Sequence, residues 1–147
     1  MKKTILALVL MFTMGISSVF AGEEAVSPQV LTAFKSEFAS AKEVNWTVSS
    51  RYYKAAFSLN GQRIYAYYSL EGQYLGMSRN LTTQQLPLHL MSTIQKTFSN
   101  DHWVTDLFEL SNEEGNNYYL TLESADFITV LKSNGDNWTV YEKKRKS

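Results

Sequence analysis

The stretch Tyr52-Tyr-Lys-Ala-Ala-Phe-Ser-Leu59, Arg63-Ile-Tyr-Ala-Tyr-Tyr-Ser69, Tyr74-Leu-Gly-Met-Ser-Arg79 reads as three consecutive β-strands. Asn60-Gly61 and Glu71-Gly72 part the runs, and both dipeptides suit tight turns that need positive φ. Successive residues of a strand point to opposite faces, so alternation sorts the side chains. Tyr53, Ala55, Phe57 and Leu59 fall with Ile64, Ala66, Tyr68, Leu75 and Met77 on a face able to pack against a helix. Tyr52, Lys54, Ser58, Arg63, Tyr65, Tyr67 and Ser78 fall on the other, which is too polar for a core and too aromatic for an idle surface.

Upstream, Ser27-Pro28 opens a helix: serine caps free amide groups, and proline sits where no intrahelical donor is needed. Val30, Leu31, Phe34, Phe38 and Ala41 recur at one-turn spacing, which predicts an amphipathic helix over 28–39. Val44, Trp46 and Val48 then alternate along a strand, and Ser49-Ser50-Arg51 turns the chain into the tyrosine-rich runs.

Downstream, the pattern recurs. A second helix begins near Leu86-Pro87, and its stripe of Leu90, Met91, Ile94 and Phe98 repeats Val30, Leu31, Phe34 and Phe38 at a separation of 60 residues. At a separation of 63, Phe57 meets Leu120, Leu59 meets Leu122, Ile64 meets Phe127, Gly72 meets Gly135, Leu75 meets Trp138 and Met77 meets Val140. Three inserted residues account for the change, and the turn-rich segment 111–117 is their expected place. The predicted fold is α+β: two tandem repeats, about 27–80 and 86–143, of one helix followed by a four-stranded antiparallel sheet. An apolar sheet face needs a cover, so the helices should pack on one face, burying Phe34, Phe38, Ile94 and Phe98 with Trp46 and Trp138.

The chain has 147 residues, 44% of them hydrophobic and 14% aromatic, which fits one compact domain and argues against disorder. Fourteen basic and fourteen acidic side chains leave no electrostatic footprint of a nucleic-acid binder. Without cysteine there is no disulfide framework, thiolate nucleophile or Cys-ligated zinc. Lys2-Lys3, the apolar run 5–14 and Val19-Phe20-Ala21 have the order of a secretory signal peptide, 1–21, cleaved after Ala21. The alternative is a membrane anchor, but the run is about half the ~20 apolar residues a spanning helix needs. A periplasmic or secreted mature domain, 22–147, is expected, without stable membrane insertion.

The inventory for catalysis is thin. His89 and His102 belong to no HExxH spacing, and neither a GxSxG elbow nor a phosphate loop occurs. The segment 112–117 lacks the alternating ligands of a calcium loop. Lys143-Lys-Arg-Lys146 could attract acidic partners or lipid, or simply keep a sheet end from pairing. No cofactor and no metal are expected. Tyr52, Arg63, Tyr65 and Tyr67 are the candidate binding residues, because tyrosine and arginine concentrate binding energy at interfaces. Cross-strand tyrosine pairs also stabilise sheets, and the two halves could cover each other's outer faces, so the aromatic pattern alone leaves both roles open.

The helix 30–38, Val44-Asn-Trp46, the strand 53–57, the Gly72 hairpin and Leu86-Pro87 together resemble the secreted PepSY-like, β-lactamase-inhibitor-protein-like (BLIP-like) proteins of Bacteroidetes. The resemblance covers nearly all of the expected mature chain. It implies the tandem helix-plus-four-strand architecture, export, and an inhibitor-like role in which a periplasmic or extracellular protein is engaged through the sheet face. A periplasmic module binding a small ligand or glycan is the alternative. No catalytic residue carries over. One departure stands out: Asp106 occupies the place where Trp46 predicts an aromatic.

Overall fold

The computed structural model describes residues 19–98 and 100–147; the apolar run 5–14 of the expected leader lies outside them. The fold is α+β, with antiparallel strands and two α-helices. It divides into two compact units, the first ending at Met77 and the second starting at Ser78.

In the first unit, β1 (Val19–Ala21) pairs with β2 (Lys42–Val48). Between them lies α1 (Pro28–Glu37), capped at Ser27, whose Oγ accepts from Val30 N at 3.4 Å. β2 continues antiparallel into β3 (Tyr52–Leu59) and β4 (Gln62–Ser69). The β3–β4 turn is the expected two-residue one, with Asn60 at φ 51° and Gly61 at φ 78°, the conformation whose twist matches the flanking strands. Val30 and Phe34 of α1, with Phe38 at its C-terminal cap, pack on Trp46, Ala55, Phe57, Ala66 and Tyr68. The Phe34 ring lies 5.4, 5.2 and 5.1 Å from those of Phe38, Trp46 and Phe57, so this core is built from interlocked rings.

β5 (Tyr74–Asn80) carries the chain out of the first unit. Strict alternation put Leu75 and Met77 on the core face, whereas Tyr74 and Met77 are the residues packed against that core. Gly76, at φ 148°, lies between them and breaks the two-residue period, as a glycine inside a strand often does.

The second unit opens with a 3-10 turn at Thr83–Gln85, where Gln85 Oε1 accepts from Thr82 N at 2.8 Å. That turn delivers Leu86-Pro87 to α2 (Leu88–Phe98), which buries Leu90 and Ile94. Four strands follow in antiparallel succession: β6 (Trp103–Asn112), β7 (Gly115–Glu123), β8 (Phe127–Ser133) and β9 (Thr139–Arg145). The core beneath α2 is Leu86, Ile94, Leu107, Leu120, Leu122 and Leu131, with Met91, Phe98, Tyr118 and Trp138 packed against it. Trp138 Nε1 donates to Leu90 O at 3.1 Å, and His89 Nε2 lies 2.6 Å from Gly135 O. A carbonyl can only accept, so that nitrogen carries the proton. The two bonds tie the β8–β9 loop to the first turns of α2.

Cross-strand register corrects the sequence alignment. Trp46 opposite Ala55 and Asn45 opposite Ala56 correspond to Glu109 opposite Tyr118 and Phe108 opposite Tyr119, every residue 63 positions on. The chain between Trp46 and Ala55 is therefore as long as that between Glu109 and Tyr118, and the three extra residues lie between α2 and β6, not in 111–117. The partner of Trp46 is Glu109, not Asp106. Phe57 opposite Ile64 likewise answers to Leu120 opposite Leu131, so Ile64 matches Leu131 and not Phe127. The chain from Leu120 to Leu131 is four residues longer than that from Phe57 to Ile64. Matching apolar residue types could not detect this, because both candidate partners of Ile64 are apolar.

Candidate functional site

The four residues expected to form an open binding face do share one side of β3 and β4, but they differ in exposure. Tyr67 is 2% exposed and Tyr52 6%, and their rings meet edge to face at 5.7 Å. These two offer no surface to a partner, which corrects the expectation. The cause is legible in the strands: Ala55, Ala56 and Phe57 are buried in succession, as are Ala66, Tyr67 and Tyr68, and consecutive buried residues mean that both strand faces are dry. Toward the β3–β4 turn the face opens. Tyr65 is half-buried with the Lys54 ammonium 5.3 Å above its ring, and Arg63, opposite Ser58, is exposed. Burial pushes the Lys54 amine below its ordinary value. What remains accessible is a cationic and aromatic strip of Lys54, Tyr65 and Arg63.

The second unit carries a dry face of its own. Leu107, Phe108, Glu109 and Leu110 are buried in succession. Phe108 and Tyr119 stack at 5.1 Å, and Tyr141 meets Tyr119 edge-on at 5.7 Å. The hydroxyls of Tyr119 and Tyr141 find no hydrogen-bond partner among the described residues. Burial raises the phenol pKa of both, so the neutral form is held.

Glu109 is the one buried carboxylate among the described residues, and Arg79 Nε and Nη2 both reach its Oε2 at 2.8 Å. Nothing in the sequence flagged this pair, because Glu109 and Arg79 lie 30 residues apart and only the β6 register turns Glu109 inward. Among the described residues no three His, Cys, Asp or Glu side chains converge as metal ligands would. His89 is engaged with the β8–β9 loop, and His102 sits edge-on to Phe98 at 5.2 Å.

His102 borders a cavity of about 290 Å³ between α2 and the start of β6. Leu86, Met91, Ile94, Phe98 and Leu122 form its apolar wall, and Val104 closes it toward the strand. Thr83, Gln95 and His102 are the polar residues of its lining. Next to Val104 in the chain, Trp103 is 51% exposed, with the Lys146 ammonium 4.9 Å from its ring and bonded to Glu123 at 2.9 Å. Sequence reasoning missed the cavity. One sequence feature beside it is Ile94, which stands where the first helix has Phe34.

Among the described residues no helix is long and apolar enough to cross a membrane. No family model matches the chain, and no curated protein matches it in sequence. Solved structures do. A BLIP-like protein from Bacteroides fragilis is 19% identical with a TM-score of 0.68, covering 82% of this chain and 86% of that one. A DUF2874 family protein from Bacteroides ovatus is 16% identical with a TM-score of 0.70, over 82% and 87% of the two chains. A candidate periplasmic protein from Bacteroides eggerthii is 14% identical with a TM-score of 0.69, over 82% and 88%. The two helices, the antiparallel strands and these likenesses together make this the BLIP-like fold of the Bacteroides proteins.

Proposed function

We propose that this chain is an exported, non-enzymatic binding protein, inhibitor-like in mode, that engages a protein partner through the open end of the β3–β4 face. The observation that carries the reading is the strip of Lys54, Tyr65 and Arg63: an aromatic ring held under an ammonium beside an exposed guanidinium. Such a strip suits a partner presenting carboxylates around an apolar contact, since arginine binds carboxylates bidentately and tyrosine adds area at low entropic cost. Buried Tyr52 and Tyr67 flank it on the same face, farther from the turn. Export rests on the leader pattern of 1–21, and a periplasmic or secreted location is in keeping with the candidate periplasmic protein that shares the fold. The order of one helix and then four strands, met twice, together with the register shared by β2–β3 and β6–β7, supports descent from a duplicated module.

The test is a crosslinking capture from envelope extract with the wild-type chain and with Arg63→Ala/Tyr65→Ala. A captured protein whose affinity falls about tenfold or more in the double variant is the expected result. Equal capture by both chains defeats the reading.

A further inference from the structure

The two cores fill matched positions differently, and in the second unit one of those positions, Ile94, borders a cavity. In the first unit Phe34 is wedged among Phe38, Trp46 and Phe57. The helix match puts Ile94 in place of Phe34 and Phe98 in place of Phe38, while register puts Glu109 in place of Trp46 and Leu120 in place of Phe57. Three rings are thus replaced by shorter side chains. Two aromatics have been added, Tyr118 where the first unit has Ala55 and Trp138 on the β8–β9 loop, but Trp138 is bonded at Leu90, one turn before Ile94. Of these positions Ile94 and Phe98 line the cavity of about 290 Å³, whereas Glu109, Leu120, Tyr118 and Trp138 do not, so the ring missing beside the cavity is the one that Phe34 supplies in the first unit. The three extra residues before β6 enlarge the connection that carries His102 to the cavity edge.

We propose that this cavity is a binding site for a free small aromatic molecule, of about indole size, bearing a hydrogen-bonding group. Apolar cavities left by large-to-small changes stay dry and accept ring compounds; one of about 150 Å³ holds benzene. The present cavity is larger, so a bicyclic ring suits it better. The wall of Leu86, Met91, Ile94, Phe98 and Leu122 supplies apolar contact and methionine sulfur to ring faces. The polar atoms of Thr83, Gln95 or His102 can receive or give one hydrogen bond, which fixes orientation in a mostly apolar pocket. This site is separate from the strip on β3 and β4 and does not depend on it.

Titration of the full chain with indole, followed by amide NMR, tests the proposal. Saturable shifts confined to 83–104 and the neighbourhood of Leu122 are expected. Ile94→Phe, which restores the ring of the first unit, should weaken indole by about tenfold or more while raising the thermal midpoint. Should that variant fail to fold, Val104→Trp, at a position 41% exposed, blocks the same cavity from its edge and should weaken indole equally. Absence of saturable shifts, shifts elsewhere, or wild-type affinity in the folded blocking variant overturns the proposal. A capped Gly-Trp-Gly peptide forms the second arm: binding about tenfold tighter than indole would show that the site takes a partner's side chain and overturn the small-molecule assignment.

Discussion

The first unit fills its core with rings and the second with branched aliphatics, although strand register and helix stripe correspond. Phe34, Phe38, Trp46, Phe57 and Tyr68 interlock in the former; Ile94, Leu107, Leu120, Leu122 and Leu131 pack in the latter beside a cavity. The same backbone plan therefore tolerates two packings, provided that total volume and patterning are kept nearly constant.

The contrast should show most in truncations. Phe34→Ala removes a ring with three aromatic neighbours and should cost about 3–5 kcal/mol, whereas Ile94→Ala, beside an existing space, should fall near the lower end of the 2–5 kcal/mol range. Equal losses on denaturant unfolding would mean that the cavity gives no slack. Phe98→Ala should likewise cost less than Phe38→Ala, because Phe98 lines the cavity and is only half-buried while Phe38 is 9% exposed.

The next effect separates Trp46 from Glu109. Arg79→Met leaves the Glu109 carboxylate, whose side chain is 10% exposed, without that guanidinium and should destabilise by about 1–3 kcal/mol. In the double variant Arg79→Met/Glu109→Leu most of that loss should be recovered, since an apolar pair of similar size can replace an ion pair. No recovery would show that the pair orders the start of the second unit in a way apolar contact cannot.

The smallest effect concerns Asp106, the residue that sequence matching set against Trp46. Burial raises its pKa, partly offset by a hydrogen bond from the Leu107 amide. For an acid with a raised folded pKa, the linked stability is fully present below the unfolded value and is lost as pH rises through the folded one. Asp106→Asn should therefore raise the thermal midpoint at pH 7, with the gain shrinking toward pH 3. A gain that persists unchanged in acid would rule out titration as its cause.

Much of the fold was legible because periodicity and turn chemistry are local. The stripes of α1 and α2, the Asn60-Gly61 turn and the alternation of β3 and β4 follow from the residues that form them. What escaped was nonlocal. Whether the second face of a strand is wet depends on what covers it, and Tyr67 gives no sign of that, since tyrosine is equally at home on either side. Register across the β7–β8 connection depends on loop length, which apolar matching ignores. Glu109 became readable as the counterpart of Trp46 only once the pairing with Tyr118 was known.

One small element bears on timing. β1 (Val19–Ala21) pairs with Val48, Thr47 and Trp46 of β2, and Val19–Ala21 is also the segment a leader peptidase would read if it cut after Ala21. Were the leader so cleaved, strand pairing and proteolysis would compete for one segment of chain. A leader removed after Ala21 must leave before the β2 margin closes over it, and the processed protein would then present Trp46–Val48 as an unshared border.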